Sequence, residues 1–267
     1  MKIVLSVLAM AALIVFSAQA HEKKLSKSRS LMPAVVVELF TSEGCSSCPP
    51  ADKLLTDLSK AGAVEGVDVI PLAQHVDYWN RLGWTDPFSS ARFSQRQQEY
   101  AQGFRSDQIY TPQMIVDGTA QFVGSDRDRA IASIRNAARQ PKGTITLHIT
   151  PPKGDDLKLI VGMTITGLPA ITPGDEVEVL IAITEDGLHS DVARGENAGH
   201  KLAHTGVVRE WQTAGKLSPN RAPTFDQNAQ VALKENWKRE NLKLVVIVQE
   251  RTSRRILAAA SLKISEP

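Results

Sequence analysis

The fold of this chain is decided by the stretch Val35-Val36-Val37-Glu38-Leu39-Phe40 and by Cys45-Ser46-Ser47-Cys48, which follows it. The apolar run predicts a buried strand. Residues 51–60 predict an α-helix, because their leucines recur at helical spacing. The two cysteines are therefore expected in the loop between a strand and a helix, with Cys48 entering the first helical turn.

Cys45 and Cys48 are the only cysteines in the 267 residues. Two thiols at this spacing can form an intramolecular disulfide, and a helix N-terminus stabilises a thiolate on Cys45. The pair predicts thiol–disulfide chemistry in which Cys45 attacks and Cys48 resolves the mixed disulfide. Two alternatives stay open. A structural bridge would close too short a loop to remove much unfolded-state entropy, and a metal site would lack further cysteine ligands.

The pattern of the chain changes near residues 139–143. Before this point, apolar strands alternate with helical segments in the order β-α-β-α-β-β-α, which predicts an α/β thioredoxin-like domain over residues 34–140. After it, residues 144–150 alternate apolar and polar side chains, and five further segments share that character. These strands predict an all-β, sandwich-like domain over residues 144–267.

Two elements near the cysteine loop could assist the chemistry. Thr111-Pro112 precedes a short predicted strand. In a thioredoxin-like fold a proline at this point is cis and faces the cysteines, and Thr111 offers backbone hydrogen bonds to a substrate. Glu38 lies on the first strand, where burial would raise its pKa and suit it to carry the proton of Cys48. The alternatives are an ordinary trans turn proline and a strand-edge carboxylate. Glu43 is predicted to be a solvated loop carboxylate.

Residues 74–88 follow the second predicted strand and are rich in aromatic and polar side chains. One interpretation is a groove beside the disulfide, in which Trp79 and Trp84 bind extended substrate and His75 tunes the thiolate. The other is a packed insertion that is anchored by its aromatic residues.

His189, His200 and His204 cluster in the second half of the chain. The spacing of the last two would suit metal binding on a helix. Gly195 and Gly199 instead favour a long loop, which could cap the disulfide or hold a partner. The sequence therefore predicts no metal site and no cofactor.

Residues 1–20 have the features of a secretory signal, with Lys2, an apolar run over residues 3–16 and the small-x-small triplet Ala18-Gln19-Ala20. Cleavage would leave residues 21–33 as an arm before the first domain; an uncleaved anchor is the alternative. No other segment is apolar enough to span a bilayer. The mature protein is thus predicted to be periplasmic or secreted, where disulfide chemistry is common.

The near-neutral charge of the chain limits the classes of partner that we expect it to bind. The chain has 31 Lys and Arg against 29 Asp and Glu, and 5% aromatic residues. It carries no basic run suited to nucleic acid. The expected partners are a protein or small thiol or disulfide substrate and a redox partner protein.

Three runs carry a resemblance to a known family: ELFTSEGCSSCPPAD at 38–52, HVDYWNRLGWTDPFS at 75–89 and YTPQMIVDG at 110–118. The chain resembles the secreted, thioredoxin-like family catalogued as domain of unknown function 1223, and the resemblance continues through residues 194–197 and 204–209. It implies a thioredoxin-like fold and a periplasmic or secreted location, with Cys45, Cys48 and Pro112 matching family positions. It implies no established substrate. The C-terminal strands are also similar to the β-domain of an outer-membrane protein family with thioredoxin-like homology.

The sequence therefore predicts an exported thiol–disulfide oxidoreductase. Ser46-Ser47 would set the thiolate pKa and the potential, but gives no direction for the reaction. Two alternatives are a redox-silent thioredoxin-like adaptor of the cell envelope and a periplasmic carrier of Cu(I), which soft thiolates bind well.

Overall fold

The computed structural model describes residues 26–28, 32–150, 157–217 and 224–264. The predicted signal, residues 1–20, and most of the predicted arm, residues 21–33, lie outside the described residues. The described ranges contain fourteen strands: β1 (Ser26–Ser28), β2 (Ala34–Thr41), β3 (Asp68–His75), β4 (Gln113–Val116), β5 (Ala120–Val123), β6 (Thr144–Thr150), β7 (Lys158–Thr166), β8 (Val177–Glu185), β9 (Leu188–Asp191), β10 (Lys201–His204), β11 (Val207–Leu217), β12 (Thr224–Ala232), β13 (Leu242–Glu250) and β14 (Ile256–Lys263). They also contain the helices α1 (Pro49–Leu58), α2 (Ala91–Gly103) and α3 (Arg127–Ala138), with 3-10 turns at Asn80–Leu82 and Arg239–Asn241. None of the helices in these ranges has the length and apolar character needed to cross a membrane.

Eight of the described strands join one mixed sheet, in the order β14-β13-β8-β11-β3-β2-β4-β5. β2 and β3 run parallel, whereas β4 runs antiparallel to β2 and β5 antiparallel to β4. β1, β6, β7 and β12 form a second, four-stranded sheet, and β9 pairs with β10 as a hairpin. The four-stranded sheet packs on β8 and β13 through a shared apolar core.

The predicted fold class, an α/β thioredoxin-like domain followed by an all-β sandwich-like domain, is wrong. Strands account for 43% of the described residues, and helices for far fewer. Four strands of the large sheet come from residues before 140 and four from residues after 144, so the sheet runs across the expected boundary. Periodicity identifies strands, but it does not say which strand pairs with which.

The large sheet is continuous because β11 pairs with the free edge of β3. Val207 lies opposite Ala73, and the Ala73 N–H donates to the carbonyl of Gly206 at 2.8 Å. Gly206 has φ +65°, and a Cβ there would lie 2.7 Å from the carbonyl oxygen of Pro71. Glycine is therefore required for this close approach.

The two halves of the chain also share a buried core on one face of this sheet. Burial of each large apolar side chain contributes about 1.5–3 kcal/mol, so this layer supports the pairing at Gly206. Its members are Val36, Ile70, Leu72 and Phe93 from the first half and Leu180, Ala182, Val208, Trp211, Val245, Ile247 and Ile256 from the second.

Strand β2 separates two buried layers, of which one lies against the cysteine helix α1 and the other against α2. Val35, Val37 and Leu39 pack with α1 and α3. Glu38 and Phe40 alternate with them and contact α2 on the opposite face. The side of β2 on which a residue lies therefore decides whether it can reach the cysteine helix.

The junction at Gly206 can be tested by Gly206→Ala. We expect a loss of about 2–3 kcal/mol in the free energy of unfolding, because the new methyl group meets Pro71 in a left-handed conformation. Gly199→Ala is the control, since φ is +81° there but nothing lies within 4 Å of the added Cβ. It should cost about 1–2 kcal/mol. Equal losses in urea unfolding would show that the contact with Pro71 does not constrain the sheet.

Candidate functional site

Cys45 and Cys48 form a disulfide, as the spacing predicted, with a Cα–Cα distance of 5.4 Å. Cys48 is the N-cap of α1, and Pro49 and Pro50 occupy the first helical positions, where the missing N–H groups have no helical partner to lose. The Cys48 N–H donates to the carbonyl of Cys45 at 3.1 Å. The pair thus lies in a tight turn that leads directly into the helix.

The disulfide is covered by a loop from the second half of the chain. Cys45 and Cys48 are fully buried, although Ser46 and Ser47 between them are exposed. Residues 192–200, which join β9 to β10 and are called the covering loop below, provide the cover. Glu196 Oε2 accepts a hydrogen bond from the Ser46 N–H at 3.0 Å. The predicted loop is therefore hydrogen-bonded to the turn that holds the disulfide, and the role of a cap for the disulfide stays a prediction.

Asn197 fixes the covering loop most firmly. Its Nδ2 donates to the carbonyl of Glu43 at 2.8 Å and to the carbonyl of Cys45 at 3.0 Å. Asn197 itself is buried. No local sequence pattern marks this residue, because it lies 152 positions from Cys45.

The Thr111–Pro112 peptide bond is cis, as predicted. A Cβ built on Gly124 would lie 3.1 Å from both Pro112 and Ala51, which places the proline beside the first turn of α1. Trp79 Nε1 donates to Thr111 Oγ1 at 2.8 Å. The loop proline, the insertion and the cysteine helix therefore meet at one end of the sheet.

The indoles of the 74–88 segment anchor it. Trp84 Nε1 donates to Glu43 Oε2 at 2.8 Å, and the Trp79 Cβ lies 3.3 Å from a Cβ built on Gly44. Both indole rings are half-buried. These contacts fit the packed insertion, and substrate binding by Trp79 and Trp84 stays a prediction.

Glu38 is not brought to the cysteines. It lies on the α2 face of β2, opposite the face that α1 covers. Its carboxylate accepts from Arg96 Nε at 2.6 Å and Nη2 at 2.9 Å, and also from Tyr100 and Gln74. The alternation of side chains along a strand explains the misplacement, since Leu39, the next residue, is the one that faces α1.

Two buried histidines lie on the α1 face. His75 Nδ1 is 2.7 Å from Asp86 Oδ2, and His204 Nε2 is 3.0 Å from Glu43 Oε1. The two rings pack edge to face with centroids 4.8 Å apart. The prediction that Glu43 is solvated is wrong: it is fully buried.

The charges around His75 shift its titration. Burial acts to lower the pKa of His75, but Asp86, Asp52 and Glu43 outweigh it, so the pKa is raised. Burial likewise acts to raise the pKa of Asp86, yet His75 and the backbone N–H groups of Glu43 and Phe88 outweigh it and the pKa is lowered. His75 and Asp86 are therefore held as a buried ion pair. His75 is fully buried and lies in the core, not on a groove wall.

Asp52 is a second site residue that the sequence did not reveal. It lies one helical turn after Cys48 and is 7% exposed, and its N–H donates to the carbonyl of Cys48 at 3.1 Å. Burial raises its pKa, against the lowering effects of His204, His75 and the Thr41 hydroxyl. The signal that could have found it is the i, i+4 spacing from Cys48, which puts both side chains on one helix face.

His200 and His204 do not form a metal pair, because His200 is exposed and His204 is buried on the strand β10. His189 is also exposed. In the part of the chain that the structure describes, no group of three or more His, Cys, Asp or Glu side chains is arranged to hold a metal ion.

Comparisons with known proteins identify a matching protein family and solved structures of similar fold. The sequence profile of a family described as "Protein of unknown function (DUF1223)" matches residues 36–249. No curated protein sequence matches the chain.

Solved structures show a similar fold. A structural-genomics protein from Agrobacterium tumefaciens is 25% identical, with a TM-score of 0.66 over 90% of this chain and 98% of that one. HBP35 of Porphyromonas gingivalis is 14% identical, with a TM-score of 0.64 over 90% of this chain and 78% of its own. At this identity, HBP35 supports the fold alone.

The position of Glu38 gives a test of its role. Glu38→Gln should lower the free energy of unfolding by about 3 kcal/mol, because Arg96 would be left buried without its charged partner. The midpoint potential of the disulfide should not change. Glu210→Gln is the control, since its partner Arg92 is exposed, and the cost should be below about 1 kcal/mol. A shifted potential with unchanged urea unfolding would restore Glu38 as the proton carrier of Cys48.

Proposed function

The chain belongs to the DUF1223 family, and we propose that it is an exported thiol–disulfide oxidoreductase that acts on protein or small thiol substrates. The observation that carries the proposal is the Cys45–Cys48 disulfide at the N-terminus of α1, formed by the only cysteines of the chain. Export follows from the signal features of residues 1–20. An oxidising compartment is where such a pair can cycle between dithiol and disulfide.

The different surroundings of the two sulfurs support different roles for them. Cys45 lies outside the helix, next to exposed Ser46, and its Sγ is 3.4 Å from Ser47 Oγ. Cys48 is the N-cap of α1, and the buried residues Ala51 and Asp52 follow it after two prolines. A substrate thiolate would therefore attack Cys45 Sγ, and Cys48 would leave and later resolve the mixed disulfide.

Access to the sulfurs requires the covering loop to open. Opening breaks the hydrogen bond from the Ser46 N–H to Glu196 and the two hydrogen bonds that Asn197 donates. It would also separate Gly195 from Trp84, which lies next to it, and expose Cys45. Trp79, Trp84, Thr111 and Pro112 would then border the substrate. A net hydrogen bond contributes about 1 kcal/mol, so this opening is within reach of thermal fluctuation.

The burial of both cysteines favours a second candidate, a redox-silent adaptor of the cell envelope. In that case the bridge would hold the turn before α1 in one shape, and partners would bind elsewhere. Thiol–disulfide exchange and a static bridge make opposite predictions for the folded protein.

Thiol trapping of residues 21–267 across glutathione buffers separates the two candidates. We expect a reversible two-electron transition without unfolding. A midpoint above roughly −180 mV would indicate a disulfide donor, and one near −270 mV a reductant. Cys48→Ser should accumulate a mixed disulfide on Cys45, whereas Cys45→Ser should accumulate much less. A bridge that is reduced only when the protein unfolds would favour the adaptor.

The covering loop can be tested by Asn197→Ala. Loss of two hydrogen bonds of about 1 kcal/mol each should speed reduction of the folded protein by dithiothreitol roughly 10- to 30-fold. Asn136→Ala, on the exposed face of α3, is the matched control and should leave the rate unchanged. An unchanged rate in Asn197→Ala would show that this loop does not control access.

A further inference from the structure

The α1 face of the site contains a group of buried polar atoms without hydrogen-bond partners. Of the nine such side-chain atoms among the described residues, four are Thr41 Oγ1, Asp52 Oδ1, His75 Nε2 and His204 Nδ1. Buried polar atoms are almost always paired, so a group of this size calls for an explanation.

These four atoms belong to one neighbourhood. Thr41 and His75 lie opposite each other on β2 and β3, and the rings of His75 and His204 touch. Asp52 interacts electrostatically with both imidazoles, and the Thr41 hydroxyl lies beside its carboxyl without an aligned hydrogen bond. The four unpartnered atoms therefore converge beside α1.

The second nitrogen of each imidazole is already fixed. His75 Nδ1 is held by Asp86 and His204 Nε2 by Glu43. Carboxylates in these positions accept the N–H, so His75 Nε2 and His204 Nδ1 are the ring nitrogens left without a hydrogen-bond partner. Both rings are buried, and neither can rotate without breaking its hydrogen bond to a carboxylate.

Asp52 connects this group to the disulfide. It follows Cys48 by one turn on α1, and side chains at this spacing share a helix face. No other acidic residue of α1 is buried, since Asp57 is half-buried and pairs with Lys53 and Lys60. Thr56, one turn further on, contacts Thr205 next to His204. The face of α1 that begins at Cys48 is thus the face that meets the histidines.

We propose that Asp52, which faces His75 and His204, is the buried proton donor and acceptor for Cys48 in thiol–disulfide exchange. The inference rests on the proposed function. It assigns to Asp52 the role that sequence analysis had assigned to Glu38.

The step balances as follows. A substrate thiolate attacks Cys45 Sγ, the Cys45–Cys48 bond breaks, and its electron pair remains on Cys48 Sγ. The Asp52 carboxyl gives its proton to that thiolate and becomes a carboxylate facing the two imidazoles. A second substrate thiolate attacks the substrate sulfur, which releases the oxidised substrate and leaves Cys45 as a thiolate. Two substrate thiols lose two electrons, the disulfide gains them, and the reverse sequence returns the Cys48 proton to Asp52.

The electrostatics suit this role. Burial raises the pKa of Asp52, so its carboxyl keeps a proton at pH values where a solvated aspartate has lost it. The charged and titratable groups that face it are His75 from β3, His204 from β10 and Asp86 from the segment before α2, with Glu43 behind the histidines. The imidazoles favour the carboxylate once the proton has left.

Asp52→Asn is the test, with the midpoint potential and the rate of reduction by dithiothreitol measured from pH 5 to 9. The wild-type potential should show a break in its pH dependence that Asp52→Asn removes. The rate of reduction at pH 7 should fall about 100-fold, the low end of general acid–base effects. Asp52→Glu keeps a carboxyl and should restore the break, whereas Asp57→Asn, the matched change on the same helix, should leave both readouts unchanged.

The dependence of stability on pH provides a check that Asp52→Asn folds. A raised pKa means that the neutral form favours the folded state, so this stability is present below the unfolded value near 3.8 and is lost as pH rises through the folded pKa. Asp52→Asn removes that loss and should be at least as stable as wild type at pH 8 in urea unfolding.

The outcomes separate the two proposals. If the wild-type disulfide shows no reversible transition, the proposed function fails and the role of Asp52 falls with it. If the wild type titrates but Asp52→Asn has the same pH profile and rate, the oxidoreductase stands and the role of Asp52 is overturned. Equal changes in Asp52→Asn and Asp57→Asn would show a general effect on α1 and would also overturn it.

Discussion

The backbone contact between Gly206 and Ala73 places the second half of the chain against the first. Gly206 lies in the turn between β10 and β11, so the contact also fixes the position of the residues just before it. His204 enters the core beside His75, and the covering loop is carried across the disulfide. The close approach depends on the missing side chain at position 206. One glycine in a left-handed conformation therefore determines the surroundings of two cysteines about 160 positions earlier in the chain.

Strand β2 sorts the buried charges of the protein into two groups. On the α2 face, Glu38 and Arg96 neutralise each other, and Gln249 and Tyr100 complete their hydrogen bonds. On the α1 face, the charges are paired through histidines, and several atoms are left unpartnered. On the α2 face too, Gln74 Oε1 beside Glu38 has no hydrogen-bond partner. The same strand thus carries a carboxylate–guanidinium pair on one side and lies beside carboxylate–histidine pairs on the other.

The local features of the site could be predicted from the sequence, and the long-range ones could not. The cysteine spacing predicted the disulfide and the start of α1, and the Thr111-Pro112 pair predicted the cis peptide bond; the structure has all three. The sheet was misjudged, because the edge of β3 finds its partner in a strand that periodicity cannot assign to it. Glu38 was placed on the wrong face by one residue, and the burial of Glu43 depends on His204 and Trp84.

The covering loop is synthesised well after the cysteines that it covers. Ser46 and Glu196 are 150 positions apart, so a nascent chain that has just emerged carries the cysteine turn without its cover. A thiol or disulfide reagent can reach the cysteines at that stage. After residues 192–207 are made and β11 pairs with β3, the same bond is enclosed. The order of synthesis therefore divides the exposure of the cysteines into an open period before the loop is made and an enclosed period after it folds.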